Sequence, residues 1–332
     1  MTVPKTTGEK KDKDLLLVKD FRGYYRGIFG VVHAVDGVSL QVGEGERVGV
    51  AGESGCGKSS FAQLITGTTT PLLHYESGEV RVDGYDIWKI SPEVLRKKVK
   101  CELISYVPQA MLNSLNPVKK VKEFIADMFR DRTGCSYSVK KVCEIATEHF
   151  ERLNLDRSVL DLYPYELSGG MMQRSIIAIS TMTTPKLLIT DEPTSALDVS
   201  SQKRVIKMMI DIQRKGIIKS IVCISHDISV LNQLCNRIVI MYAGEFVESG
   251  EDVIKHPLHP YTKALMDSLL PLERETKYKP LLSIPGVVPD LRNPPHGCRF
   301  RDRCEKRMEV CNVEDPPEIV KGKRMVKCWL YK

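Results

Sequence analysis

The sequence predicts an α/β protein: a mostly parallel sheet with an antiparallel edge, an α-helical insert, and a small cysteine-rich C-terminal extension. Three observations lead there. Buried apolar runs, ERVGVAG (46–52), KLLITDE (186–192) and SIVCISHD (220–227), alternate with stretches of helical spacing. Strands that alternate with helices pair in parallel, because each crossover needs an element to carry the chain back. VKKVKEFIADMFRDR (118–132) and SVKKVCEIATEHFERLN (138–154) carry apolar stripes beneath charged faces, which marks a helical insert over about residues 112–172. Four of the ten cysteines, Cys298, Cys304, Cys311 and Cys328, lie at or beyond residue 298.

In chain order, LLLVKDFRGYY and VDGVSLQV read as edge strands, and ERVGVAG as a buried strand that ends in glycine. SSFAQLITG has helical spacing and a terminal glycine. GEVRVDGYDI is a hairpin about Asp83-Gly84, and LISYVPQ a further strand. After the insert, the KLLITDE and SIVCISHD strands are joined by the helix SSQKRVIKMMIDIQRKG, and RIVIMYAGEFVESG closes the core. From Pro271 through Pro280, Pro285, Pro289, Pro294 and Pro295 the chain reads as an extended linker into the cysteine tail.

Composition narrows the function classes. No apolar run approaches the roughly 20 residues that span a bilayer. Residues 1–14 are polar and Lys-rich, and read as a disordered tail and not a secretory signal. A cytosolic setting with reduced thiols is expected. The net charge of +7 is assigned to solvated lysine faces such as RKKVK (96–100). No basic stretch is interleaved with aromatics as a single-strand groove requires, so no nucleic-acid partner is expected.

GESGCGKSS, from Gly52, fits G-x-x-x-x-G-K-[ST] between a strand and a helix, the context in which a P-loop forms. Gly52, Ser54, Gly55, Cys56, Gly57, Lys58, Ser59 and Ser60 would wrap the phosphates, with backbone N–H groups and a helix N-terminus supplying positive potential. Lys58 would reach the β- and γ-phosphates and Ser59 would ligate Mg²⁺. Asp191, delivered by the apolar strand, would serve the metal, and Glu192 beside it a water. Cys56 sits at a helix N-terminus, a setting that lowers a thiol pKa and predicts alkylation that ATP blocks. The alternative is a small residue with no special reactivity.

A P-loop alone fixes no function. LSGGMMQR (167–174) adds the discriminating stretch, and with it the sequence resembles the ATP-binding cassette family. Ser168, Gly169 and Gly170 match the signature motif, Gln109 the Q-loop, SALD (195–198) the D-loop and His226 the switch histidine. Tyr24 matches the aromatic that stacks on adenine, with Tyr25 the alternate. The resemblance implies ATP and Mg²⁺, with Mg²⁺ at Ser59, Gln109 and Asp191. It also implies catalytic roles for Glu192, His226, Lys58 and Gln109, and head-to-tail packing of two ATPase subunits around the nucleotide. Finer similarity, in NSLNPV (113–118), YAGEFVESG (242–250), HPLHPYTKALMDSLLP (256–271) and IPGVVPDLRNPPHGCRFRDRC (284–304), is to the oligopeptide/dipeptide importer branch. That branch implies a partner ATPase subunit, similar but distinct (a homodimer being the alternative), and two transmembrane permease subunits. It also implies an extracytoplasmic solute-binding protein acting indirectly and a place on the cytoplasmic face of the membrane. The solute would be a peptide or a related compound such as an oligosaccharide. Met172 departs from the branch, which usually has Arg there, and should alter packing only. The rival reading is a soluble, non-transport ATPase with a zinc-stabilised tail.

On this reading residues 15–270 form the nucleotide-binding domain and 271–332 the extension. The tail cysteines lack the short C-x₂₋₄-C pair usual in structural zinc sites. Their wider spacing suits a [4Fe–4S] cluster, with zinc, disulfides or free thiols as alternatives. Resemblance to the importer extension, where such cysteines accompany a cluster, favours iron–sulfur in a structural role. Loosening the tail would then leave ATP binding at 52–59 intact.

Overall fold

The structure, a computed structural model, describes residues 14–28, 30–109, 115–133, 138–268 and 284–332. The expected N-terminal tail up to residue 13, residues 110–114 of the stretch after Gln109, and the linker over 269–283 lie outside the described residues.

Two sheets share the molecule. The smaller is antiparallel: β1 (Asp14–Gly27) lies between β2 (Gly30–Gly43) and β4 (Leu73–Val82), and the short β5 (Tyr85–Asp86) pairs with β4. Asp83 and Gly84 turn the β4–β5 hairpin with φ of 48° and 87°, the left-handed pair that a two-residue hairpin loop demands. The larger sheet has the order β11-β12-β10-β9-β3-β8-β7-β6. Its parallel part comprises β3 (Arg47–Ala51), β6 (Ile104–Val107), β7 (Leu187–Asp191), β8 (Ser220–Ile224) and β9 (Arg237–Tyr242). These strands are apolar through most of their length because both faces are covered. One face packs on β1, β2 and helix α1 (Lys58–Ile65), around Phe21, Phe61 and Leu64. The other packs on helices α5 (Gly169–Thr181), α6 (Val199–Arg214) and α7 (Ile228–Leu234).

The insert forms as its periodicity predicts. Helices α3 (Val121–Thr133) and α4 (Val139–Arg152) bury Val121, Ile125, Val142, Ala146 and Phe150 against one another and α5. Ser138 caps α4 through the Lys141 amide at 3.3 Å.

Three segments differ from expectation. RKKVK belongs to a helix that starts as α2 (Pro92–Val94) and continues with wider turns through Leu103. Val99 is fully buried in it, and Lys100 donates to the Gly67 carbonyl at 2.8 Å, so this face is not wholly solvated. Helix α8 (Pro260–Asp267) occupies HPYTKALMD, capped by His259, whose Nδ1 accepts from the Tyr261 amide. The prolines before it hid its periodicity. The tail, finally, is no separate appendage. Strands β11 (Glu318–Lys321) and β12 (Arg324–Lys327) extend the large sheet, β12 pairing with β10 (Glu245–Gly250). Glu248 of β10 is fully buried, accepts from the amides of Leu258 and His259, and pairs with Arg324 at 2.7 Å.

Candidate nucleotide site

The carboxyl ends of β3, β7 and β8 lie side by side, since Val50 and Asp191 both pair with Ile224. The loops that follow are tied together: the Glu192 amide donates to the Ile224 carbonyl at 2.8 Å, and Ser225 to Val50 at 3.2 Å. Ligands of open α/β sheets bind outside this edge.

The loop after β3 wraps tightly into α1. A Cβ at Gly57 would fall 2.0 Å from the Ala34 carbonyl, and one at Gly52 2.1 Å from that of Met241, so only glycine fits either place. Ser54 and Gly55 at the loop tip are exposed. Lys58 is buried, and its Nζ donates to the carbonyls of Gly52 (2.8 Å) and Glu53 (2.9 Å). Cys56 corrects the expectation of a reactive thiol. It is 1% exposed, and burial pushes its thiol up, outweighing the Lys58 charge beside it. Desolvation prevails over the helix N-terminus because the sulfur faces the core. Alkylation of the native chain with iodoacetamide is therefore expected to leave MgATP affinity unchanged, checked by titration calorimetry before and after modification.

Asp191 is 1% exposed; burial lifts its carboxyl to about 6, although the Ser59 hydroxyl bonds to it. Its Oδ1 is buried and has no hydrogen-bond partner. A buried carboxylate oxygen left over beside a serine hydroxyl is a donor set that fits a hard divalent cation. Glu192 adopts φ 53°, an uncommon conformation for a residue with a side chain. Its carboxylate accepts from the His226 amide at 2.9 Å, lies 2.8 Å from His226 Nδ1, and accepts from the Ser225 hydroxyl at 3.3 Å. The His226 side chain is two-thirds exposed. Gln109 stands exposed just past β6, whose Val107 pairs with Thr190.

Of the two candidate aromatics, Tyr25 packs against the core and its hydroxyl meets that of Ser60 at 3.1 Å. Tyr24 donates to Asp36 at 2.7 Å, and its ring lies 4.2 Å from that of His33. Tyr25 is thus committed to packing, and Tyr24 to Asp36 and His33.

Ser168 caps α5, where its hydroxyl accepts from the Met171 amide at 3.3 Å. Ser168, Gly170, Met171, Arg174, Ser201 and Arg204 line a cleft of about 210 Å³. Two guanidiniums, a hydroxyl and a helix N-terminus make it an anion site. Its lining includes no residue of the 52–60 loop. Arg174 and Arg204 went unread in the sequence; the arginine that closes LSGGMMQR was the available signal. Gly169 is exposed at the same turn, and Met172 is buried in the insert core as a packing residue.

Cys298, Cys304, Cys311 and Cys328 line one cavity, with His259, Phe300 and Met308. The Cys298 amide donates to the Cys311 carbonyl at 2.9 Å, a close approach that requires Gly297: a Cβ there would fall 2.5 Å from the same carbonyl. Burial pushes the Cys298 thiol up to about 12, with the neighbouring sulfurs adding to the effect. Backbone N–H groups of Phe300, Lys306 and Leu330 reach the sulfurs of Cys298, Cys304 and Cys328. All four are free thiols. Among the described residues no three His, Cys, Asp or Glu side chains are placed to hold a single metal ion.

The chain matches two family profiles: ABC transporter over residues 35–195, and oligopeptide/dipeptide transporter, C-terminal region, over residues 247–311. It is 38% identical to the dipeptide transport ATP-binding protein DppD of Caldanaerobacter subterraneus, over 96% of this chain and 97% of that one. It is 35% identical to the oligopeptide transport ATP-binding protein OppD of Bacillus subtilis, over 95% and 88% of the two chains. A dimeric ATP-binding cassette in a post-hydrolysis state, bound to ADP and phosphate, superimposes with a TM-score of 0.62 at 25% identity, over 71% of this chain and 98% of that one. With the phosphate loop and the signature turn inside the first profile and Cys298, Cys304 and Cys311 inside the second, the chain belongs to the ATP-binding cassette family, in its oligopeptide/dipeptide transporter branch.

Proposed function

We propose that this chain is the ATP-hydrolysing subunit of a multi-subunit importer for dipeptides, oligopeptides or related solutes, acting at the cytoplasmic face of a membrane through separate permease subunits. The observation that carries it is that the signature turn lines a basic cleft of its own, which includes no residue of the 52–60 loop. Loop and turn are each half of a site, and ATP held by Lys58 and the 52–60 amides would be completed by Ser168, Gly169 and Gly170 of a second ATPase subunit. That subunit is a similar but distinct chain, or a second copy. Glu192 orients the attacking water and accepts its proton; His226, tied to Glu192, reports the γ-phosphate. Gln109 couples the site to the insert, and Tyr24 stacks on adenine. Asp191, Ser59 and Gln109 would hold Mg²⁺, whose charge would offset that of the phosphates. No described helix is long and apolar enough to cross a membrane, and the permease contact is assigned to the cleft of about 640 Å³ lined by Arg96, Lys119, Phe124, Met128 and Arg130.

We infer that the four tail cysteines hold a [4Fe–4S] cluster, with zinc as the alternative. They line one cavity, and three receive backbone N–H groups of the kind that tune cluster sulfurs. The cluster would supply four Fe–S cross-links to a segment of little apolar core.

Co-expression with permease, partner ATPase and solute-binding protein tests the assignment. ATPase activity is expected to be low and concentration-dependent for the chain alone, and to rise in the assembled complex when loaded binding protein is added. Full activity from a monomer would overturn it. Stimulation by oligosaccharide and not peptide would reassign the solute. Anaerobically purified chain should contain iron and acid-labile sulfide in equal amounts; zinc without sulfide would overturn the cluster.

A further inference from the structure

Two arginines of the cysteine tail reach back into the nucleotide site. Arg303, immediately before Cys304, is 7% exposed. Its guanidinium donates to both carboxylate oxygens of Glu53, at 2.7 and 2.9 Å. Nε donates to the Pro285 carbonyl at 2.8 Å, and the group lies over the rings of Tyr242 and Phe300. Glu53 is the second residue of the phosphate loop. Its amide donates to the Tyr261 hydroxyl at 2.9 Å, and its carbonyl accepts from Lys58 Nζ at 2.9 Å. Arg299, immediately after Cys298, pairs with Asp36, whose other oxygen holds the Tyr24 hydroxyl; its Nε lies 3.3 Å from Glu245.

We propose that Arg303 is a positioning residue of the ATPase site: it fixes Glu53, and with it the shape of the phosphate loop, from the cysteine lobe, so that nucleotide affinity and lobe order are coupled. A bidentate guanidinium–carboxylate pair fixes direction as well as distance, and burial protects it from screening. A loop rich in glycine has little stiffness of its own, so its anchors set its shape. The Glu53 amide, carbonyl and carboxylate are each held, and the carboxylate is held from the tail alone among the contacts described. Arg299 gives the lobe a second arm, towards Tyr24. The expectation that loosening the tail leaves residues 52–59 untouched does not hold, because the two segments share this ion pair. Coupling is reciprocal, so nucleotide must also order the lobe.

The proposal rests on 52–60 being the ATP phosphate site, and its test separates the two. In the full chain, MgATP affinity is measured for wild type, Arg303→Met, Arg303→Lys and Lys58→Ala. Arg303→Met is expected to weaken binding about tenfold, within the roughly 5- to 150-fold range of coupled sites, and Arg303→Lys to recover part of the loss. In the assembled transporter Arg303→Met should raise KM for ATP and leave kcat nearly unchanged, as lost uniform binding does. Hydrogen exchange gives an independent readout: MgATP should slow exchange at residues 284–304 in wild type, and much less in Glu53→Gln. A lowered melting temperature with unchanged affinity, or exchange at 284–304 indifferent to MgATP, would overturn the proposal. Unchanged affinity in Lys58→Ala would instead overturn the phosphate-site reading beneath it.

Discussion

Glu192→Gln is expected to bind MgATP as wild type does and to hydrolyse it about 10²–10⁴-fold more slowly in the assembled transporter. The amide oxygen can still accept from the His226 backbone, so the turn at φ 53° and the contact to the switch loop persist. What is lost is the capacity to take a proton from water. The pair at 2.8 Å between Glu192 and His226 Nδ1 means that the two residues act as a unit, and effects of such units are not additive. His226→Ala on the Glu192→Gln background should therefore cost much less than on wild type. Single-turnover hydrolysis in the purified complex checks both. Near-normal turnover by Glu192→Gln would remove Glu192 from the reaction.

Lys58→Ala is expected to weaken MgATP binding by about 10- to 100-fold, the loss of a hydrogen bond to a charged group being worth ~1.5–3 kcal/mol. The structure explains why the loss is not larger. The Lys58 ammonium donates to the carbonyls of Gly52 and Glu53, and a phosphate must compete with them. The same contacts mean that the variant also leaves two carbonyls without a donor, so the loop should soften. Calorimetric titration with MgATP measures the affinity, and a melting curve in its absence measures the loop's share.

The nucleotide site was legible because its signals are local. A strand, a glycine loop and a helix follow one another within Arg47–Ile65, and each motif residue announces its chemistry by type and neighbours. Asp191, Glu192 and His226 stood at the ends of apolar strands, and β-sheet pairing brings those ends together. Three kinds of information were not legible. The Arg303–Glu53 and Arg299–Asp36 pairs join residues about 250 apart in sequence, and neither periodicity nor spacing reveals such partners. Cys56 was misread because a helix N-terminus and burial push a thiol in opposite directions, and sequence reports only the first. The tail's place in the large sheet is not readable because its strands are only four residues each and begin and end on charged residues. Their pairing depends on Arg324 meeting a buried glutamate that nothing in the local sequence marks as buried.

That last arrangement has a consequence for the newly made chain. The β10 edge is covered by β12, which begins at Arg324, whereas β10 ends at Gly250. Synthesis proceeds at about 5–20 residues per second, so for several seconds the nascent ATPase carries an open strand with a carboxylate, Glu248, turned towards its interior. Open strand edges recruit other strands, and an inward charge is one of the devices that discourages them. Once the covering hairpin arrives, the same carboxylate becomes the anchor for Arg324.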